Sequence, residues 1–106
     1  MMDAKRIIND VAAHYGVTVE ALKSSKRTRP LPDARAIIFW GLCYVLHMST
    51  VEAGYTLNRD HSTVLASIKK VNNWMTVPNY YVKELMLIKK IDQQHEDEIE
   101  QIQEVD

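Results

Sequence analysis

Residues 49–75, STVEAGYTLNRDHSTVLASIKKVNNWM, decide the fold because they contain two helix starts separated by a short break. Ser49-Thr50-Val51-Glu52 is a capping box, with serine at the cap and glutamate three residues later, and it predicts a short helix. Asn58-Arg59 then predicts a tight break, after which Asp60 can cap a longer helix. Two helices joined by a short turn are the pattern of a helix-turn-helix pair.

The longer helix, predicted from His61 to about Met75, has an apolar face and a polar face. Its apolar residues recur at helical spacing and predict the inward side: Val64, Leu65, Ile68, Val71 and Met75. The opposite stripe consists of Ser62, Thr63, Ala66, Lys69, Lys70 and Asn73. Short side chains near the start of such a helix can reach base edges in a major groove, and later lysines can meet phosphates. Periodicity alone leaves open a surface helix whose polar stripe is only solvated.

Two short helices and a basic loop are predicted before this pair. Residues 3–15 carry apolar side chains at helical spacing, and Gly16 is a natural stop. Thr18 can cap a second helix that reaches Lys23. Residues 24–32 contain two prolines and three basic residues, a composition that predicts a loop.

A third helix is predicted from Pro32-Asp33 to about His47, and it is so apolar that it must be central to the core. Its inward stripe consists of Ala34, Ile37, Ile38, Gly41, Leu42 and Val45. Pro78 permits the first turn of a sixth helix, whose apolar positions continue to Ile102 and Val105. Because no useful strand alternation is present, the predicted fold class is all-α, a compact domain of six helices.

Composition bounds the protein classes that remain. The 106 residues suit one domain, and the single cysteine, Cys43, cannot form an internal disulfide or a cysteine-rich zinc site. The N-terminus lacks the apolar core of a signal peptide, and the longest apolar run, Ala36–Leu46, has 11 residues where a membrane span needs about 20. We therefore expect a protein of the reduced cytoplasm, without a membrane partner.

The charge is distributed unevenly along the chain. Residues 1–91 hold all 13 basic residues and seven acidic ones, a net charge of +6, whereas residues 92–106 hold seven acidic residues and no basic one. We expect residues 1–91 to form the domain and residues 92–106 to form an acidic helical extension or tail. A basic body with an acidic end is typical of nucleic-acid binders, although an unpartnered charged helix end has the same composition.

Arg59-Asp60-His61-Ser62-Thr63-Val64 closely resembles the signature of the C-terminal DNA-binding domain of the DnaA family, the bacterial replication initiators. Val11–Val17 followed by Leu22-Lys23-Ser24 resembles the first two helices of that domain. Lys26-Arg27-Thr28-Arg29 falls where the family has a basic loop, and Lys69-Lys70 falls where a basic pair follows the signature. The resemblance covers about residues 4–91. It implies a Trp-repressor-like helix-turn-helix that binds double-stranded DNA at short A·T-rich boxes, in replication initiation or its regulation.

The resemblance also implies roles for single residues. Arg27 resembles the arginine that enters the narrow minor groove, flanked by Lys26 and Arg29. Arg35 resembles a contact at the start of the third helix, and Arg59 belongs to the signature. The residues that resemble the major-groove readers are Asp60, His61, Ser62 and Thr63. Lys69 and Lys70 should neutralise phosphates. No catalytic residue, metal ligand or cofactor is implied, and we expect a nucleoid-associated protein that is not an enzyme.

Four positions depart from the family pattern. One Asn58 stands where the family commonly has two glycines, and Ala36 stands where glutamine is frequent. Ala66 replaces a frequent histidine in the longer helix, and Asp33 places an acid in a basic neighbourhood. The chain also has no Gly-x-x-x-x-Gly-Lys-[Ser/Thr] phosphate loop and no room for an ATPase. The chain is then either an excised fragment or a free-standing module. Its N-terminal Met and acidic end favour a free-standing module of bacterial or phage origin, which could act with a separate replication protein.

Other chemistry and a second function were weighed against this hypothesis. Cys43 and His47 are four residues apart, but further ligands at finger spacing are missing, so a buried cysteine is favoured over a metal site. His61 beside Asp60 lacks a nucleophile and an oxyanion site, which argues against catalysis. The alternative function is a protein-interaction module or transcription regulator with a diverged DNA-binding surface. In that alternative the sixth helix and its acidic end bind a partner or pair with themselves.

Overall fold

The computed structural model describes residues 3–77 and 81–104, and in these ranges all the regular structure is helical. The fold class predicted from the sequence, all-α, is thereby confirmed. Six α-helices are joined by short connections, and the third continues into a π-helical segment. Their bounds are α1 Ala4–Tyr15, α2 Val19–Lys23, α3 Leu31–Trp40, the π-helical segment Gly41–Val45, α4 Thr50–Thr56, α5 His61–Trp74 and α6 Val82–Glu104.

Four helix starts are fixed by side-chain caps, three of which the sequence predicted. Thr18 and Asp60 accept hydrogen bonds from backbone N–H groups three residues later, at 3.0 Å and 2.9 Å. Ser49 and Glu52 form the predicted capping box. Asp3 caps α1 in the same way. These bonds satisfy N–H groups that have no partner within the helix, so each start is determined locally.

Helix α3 occupies the centre of the core, as its composition predicted. All six residues of its inward stripe are buried, and Phe39 is buried with them: Ala34, Ile37, Ile38, Gly41, Leu42 and Val45. Helix α3 packs most extensively against α5 and then against α1. Ile7 from α1 and Ile91 from α6 both approach Gly41 at the end of this central segment. The domain is therefore arranged around one apolar helix, and α4 and α5 are held on one side of it.

The sequence prediction of a regular third helix to His47 was wrong in its last turns. Helix α3 ends at Trp40, and the chain continues as the π-helical segment because the N–H of Leu46 donates to the carbonyl of Gly41, five residues back. The Leu42 carbonyl instead accepts from Met48 at 3.0 Å. His47 adopts a φ of +57° between these bonds, and this turns the chain into α4.

Helix α6 is one continuous helix that passes through residue 91. Leu87, Ile88 and Ile91 are buried against the body, and the α6 contacts with the π-helical segment lie at this end. The division of the chain into a domain, residues 1–91, and an acidic extension, residues 92–106, stays a prediction. The predicted helix start at Pro78 and the predicted apolar position Val105 lie outside the described residues. No helix in the described ranges is long and apolar enough to cross a membrane.

Candidate functional site

The turn between α4 and α5 is closed by the backbone of Gly54. The Arg59 N–H donates to the Gly54 carbonyl at 2.8 Å, and a Cβ added at Gly54 would fall on the carbonyl oxygen of Arg59. Asn58 adopts a φ of +58°, a left-handed conformation that asparagine tolerates better than most residues. The single Asn58 thus supplies the reversal for which the family pattern commonly uses glycine.

The two faces of α5 agree with the sequence prediction, except at two apolar positions. Val64, Ile68, Val71 and Trp74 are buried against the core. Leu65 and Met75 were predicted to face inward, but they are 53% and 41% exposed. These two lie at the edges of the apolar stripe, where the core does not reach. The exposed side of α5 contains His61, Ser62, Thr63, Ala66, Lys69 and Asn73.

Arg35 fixes the basic loop between α2 and α3. Its side chain is buried, with only 5% of the residue exposed, and its Nε donates to the Leu22 carbonyl at 2.8 Å. Its Nη2 donates to the carbonyls of Ala21 and Ser24, each at 3.0 Å. A buried guanidinium with three backbone acceptors orients the end of α2, where the loop begins. Arg35 is therefore a positioning residue in this structure, and a DNA contact by Arg35 stays a prediction.

Arg59 connects the same loop to the helix-turn-helix. Its Nη2 donates to the Ser24 carbonyl that Arg35 also binds, and its Nη1 donates to the Leu57 carbonyl at 2.8 Å. The side chain of Asn58 adds a 3.4 Å hydrogen bond to the Lys23 carbonyl. The basic loop and the start of α5 are consequently held in a fixed relation, although they are far apart in sequence.

A groove of about 300 Å³ lies between the basic loop, the start of α3 and the exposed side of α5. Five residues that the sequence predicted for DNA binding line it together: Arg27, Arg35, Arg59, Thr63 and Lys70. Pro32, Ala66 and Ser67 complete the lining. Ser67 follows Thr63 by one helical turn, so helical spacing could have identified it, whereas no sequence signal marked Pro32.

The other predicted residues are exposed outside this lining. Lys26 and Arg29 belong to the basic loop, and Asp60, His61, Ser62 and Lys69 belong to the cap and exposed face of α5. The hydrogen bonds that Thr63 donates from its backbone and side chain hold the pKa of Asp60 below its ordinary value, so the cap is a carboxylate at neutral pH.

The lining of the groove is electropositive. Burial lowers the pKa of Arg35, and the positive charges of Arg59 and Arg27 lower it further. Three guanidinium groups are thus close enough to repel one another. An anion placed among them would relieve this repulsion, which is the electrostatic requirement of a phosphate-binding surface.

An acidic residue lies within this basic neighbourhood. The Asp33 carboxylate, at the start of α3, forms an ion pair with Lys70 Nζ at 2.7 Å. The same Nζ lies 5.7 Å from the centre of the Trp74 ring. Lys70 is therefore held between α3 and α5 by an internal partner, whereas the sequence placed it on the polar stripe as a phosphate contact.

The described residues do not favour the other chemistry that the sequence raised. Within residues 3–77 and 81–104, no group of three or more His, Cys, Asp and Glu side chains is placed to hold a metal ion. Burial raises the pKa of the Cys43 thiol, which makes the reactive thiolate less available. Trp74 is buried and stacks on Tyr81 with ring centres 5.2 Å apart, so its ring packs within the protein.

Comparison with known proteins identifies relatives of this chain. A family model described as the bacterial dnaA protein helix-turn-helix matches residues 4–71. The chain is similar to the chromosomal replication initiator protein DnaA of Deinococcus radiodurans, with 32% identity over 69 residues, 65% of this chain and 15% of that protein. The Mycobacteroides abscessus protein of that name is 34% identical over 74 residues, covering 70% of this chain and 15% of its own length.

A longer match of lower identity extends into the last helix. The DnaA protein of Chloroflexus aggregans is 29% identical over 90 residues, which is 84% of this chain and 19% of that protein. The chain thus spans between about a seventh and a fifth of the length of these curated relatives.

Proposed function

The chain belongs to the bacterial DnaA helix-turn-helix family, and we propose that it binds double-stranded DNA sequence-specifically at A·T-rich sites. Family membership supports DNA binding in replication initiation. The observation that carries the more specific proposal is the groove in which Arg27, from the basic loop, and Thr63, from α5, line one surface. A helix and an adjacent basic arm on one surface suit the simultaneous occupation of a major groove and the neighbouring minor groove.

Each side of the groove has a separate task in this proposal. The exposed start of α5 presents Asp60, His61, Ser62 and Thr63 to base edges, where a carboxylate accepts from cytosine and a threonine methyl packs on thymine. Arg27 enters the minor groove, which is narrow and electronegative in A·T-rich DNA. Lys26, Arg29, Lys69 and Lys70 contact phosphates, which fixes the position of the domain without reading sequence.

Positioning residues keep the two sides in register. Arg35 and Arg59 both bind the Ser24 carbonyl, and they hold the basic loop against the turn that precedes α5. The mechanism is binding, without a covalent step. We further propose that a separate replication protein acts together with this DNA complex. We place the complex on the nucleoid in the cytoplasm.

The first experiment is a selection from random duplexes, followed by binding measurements on the selected duplex and on a scrambled one. We expect affinity for both to fall steeply with salt, because bound lysines and arginines release counterions from DNA. Arg27→Ala and Thr63→Ala should each weaken binding to the selected duplex by about 1–3 kcal/mol, and the scrambled duplex should be affected less. The control Lys89→Ala removes an exposed cation from α6, and it should change both affinities little.

Equal losses on the two duplexes would show that Arg27 and Thr63 do not read sequence. A selection that enriches no sequence would contradict the proposal as a whole.

The Asp33–Lys70 ion pair favours a second candidate function, a protein-interaction module or transcription regulator with a diverged DNA-binding surface. An acid paired with a lysine of the basic groove weakens phosphate binding, and Ala66 offers no hydrogen bond where the family often has histidine. Absence of duplex binding at low salt, together with intact folding, would support this candidate over the first.

A further inference from the structure

A second groove, away from the residues proposed for DNA binding, lies between α1 and the first half of α6. It has a volume of about 720 Å³. Ala13, Met86 and Ile91 give it an apolar lining, and Lys83 and Lys90 lie along its α6 edge. Met86 is 65% exposed, which is unusual for a large apolar side chain. The groove thus combines an apolar floor with three cations, Arg6, Lys83 and Lys90, and one acid, Asp10. The function proposed above does not use it.

The second half of α6 has the opposite character. Asp92, Glu96 and Asp97 are exposed on it. Ile99 follows Ile88 by 11 residues, about three helical turns, so it continues the face by which α6 packs on the body. Ile88 is buried, but Ile99 is 41% exposed, because the described body ends before it. An acidic helix with apolar residues at positions 99 and 102 therefore extends past the domain.

This acidic half cannot occupy the groove of its own chain. Residues 82–104 form one continuous helix, and its first half is itself a wall of the groove. A straight helix carries its second half away from that wall. The acidic half could return only if α6 broke near residue 92, at the loss of its backbone hydrogen bonds.

Another molecule of the same chain has no such restriction. Residues 92–104 span about 20 Å as a helix, and the α6 wall of the groove, residues 83–94, spans about 18 Å, at about 1.5 Å per residue. If two α6 helices cross antiparallel between residues 93 and 94, the acidic half of each lies along the basic half of the other. Lys90 then lies opposite the segment containing Glu96 and Asp97.

We propose that two copies of this chain associate through reciprocal docking, with the acidic half of each α6 in the α1–α6 groove of the other. The arrangement has two-fold symmetry, so one pair of complementary surfaces is used twice and the assembly closes at a dimer. Ile99 gains the apolar partner that its own chain does not provide. Two DNA-binding surfaces are thereby placed in one particle, which raises the effective concentration of the second surface once the first is bound.

The test is sedimentation of the full chain over a range of concentrations at low salt. We expect a monomer–dimer equilibrium that salt shifts towards monomer, because exposed charges are screened. One variant reverses the groove, Lys83→Glu with Lys90→Glu, and another reverses the acidic half, Glu96→Lys with Asp97→Lys. Each reversal places like charges together and should reduce association on the order of a hundredfold.

Mixing the two variants is the decisive step. Each reversed surface then meets a complementary one on the other variant, and we expect a heterodimer from two chains that are each monomeric alone. Lys89→Glu is the matched control, because Lys89 is exposed on α6 but does not line the groove, and it should still dimerise.

A wild-type chain that stays monomeric at the highest concentration would overturn the proposal, and so would a mixture without heterodimer. Loss of association on reversing the acidic half but not the groove would also overturn it, since the acids would then bind a different surface. Circular dichroism of each variant shows whether it is folded, and Ile99→Asp, which leaves the groove unchanged, gives an independent second disruption. These measurements contain no DNA, so their failure leaves the proposed function standing.

Discussion

Asp33 and Lys70 form the contact that bears most directly on the strength of DNA binding. Lys70 lines the groove that also contains Arg27 and Thr63, and Asp33 pairs with it from the start of α3. The side chains of Asp33 and Lys70 are partly exposed, by 27% and 41%. An exposed ion pair contributes only about 0–1 kcal/mol to folding. Its larger effect is on function, because a lysine held by a carboxylate must release it before it can neutralise a phosphate.

We therefore predict that Asp33→Asn raises affinity for duplex DNA about fivefold and steepens the salt dependence by the equivalent of about one phosphate contact. Lys70→Gln should weaken duplex binding less in the wild-type chain than in the Asp33→Asn background, where it should reverse the gain. Lys69→Gln, which removes the neighbouring cation on α5, should cost the same in both backgrounds. Duplex titrations of all the variants at several salt concentrations measure the coupling. Additive effects of Asp33→Asn and Lys70→Gln would mean that the pair does not compete with DNA.

Arg35 and Arg59 show what the sequence could not reveal about single residues. The resemblance marks both as DNA-binding residues, which stays a prediction, and the fold adds that both donate hydrogen bonds to backbone carbonyls near Ser24. The Arg35 partners lie 11 to 14 residues away, and the Arg59 partner at Ser24 lies 35 residues away. No local pattern encodes contacts at such separations. The resemblance marked these two arginines, but only the fold shows which backbone carbonyls they bind.

The structure predicts that Arg35→Met is costly although it removes no apolar contact. Three backbone carbonyls lose a charged donor, and we expect a loss of about 2–4 kcal/mol in the free energy of unfolding. Arg59→Lys keeps the charge, but a lysine cannot reproduce the two hydrogen bonds that Nη1 and Nη2 of Arg59 donate to backbone carbonyls. We expect this variant to weaken duplex binding more than it lowers stability. Chemical denaturation and duplex titration separate the two effects. An Arg35→Met chain with unchanged stability would refute the positioning role.

The turn between α4 and α5 depends on backbone contacts that a short side chain would block. We predict that Gly54→Ala destabilises the domain by about 1–3 kcal/mol or more, since its Cβ would fall on the Arg59 carbonyl oxygen. Asn58→Gly is the matched control, because glycine adopts the left-handed conformation at no steric cost. Thermal unfolding measures both. A Gly54→Ala chain as stable as the wild type would show that the two helices can separate freely.

Local sequence signals predicted where three helices begin, but they did not predict where the third helix ends. Thr18, Ser49 and Asp60 cap their helices as predicted, because a cap involves residues only three positions apart. The end of the third helix was not predictable in this way. Its π-helical segment begins at Gly41, which Ile7 and Ile91 approach from distant parts of the chain, and no local pattern indicates such neighbours. The exposure of Leu65 and Met75 likewise reflects how far the core extends along α5.

The molecule as a whole presents two charged systems. The first is the basic groove proposed for DNA, and the second is the acidic half of α6 with the groove it complements. Sequence arithmetic revealed the +6 and −7 segments but not the second groove, because α1 and α6 meet only in the folded chain. The total charge of −1 is close to neutral because the positive and negative segments nearly cancel.

The most direct test of DNA binding by this surface is an amide NMR titration of the full chain with the selected duplex. We predict that the largest shifts fall in two segments, Lys26–Arg29 in the basic loop and His61–Lys70 on α5, at the same duplex concentration. Shifts confined to α1 and α6, or shifts in α5 that leave the basic loop unchanged, would contradict binding through both grooves of one duplex.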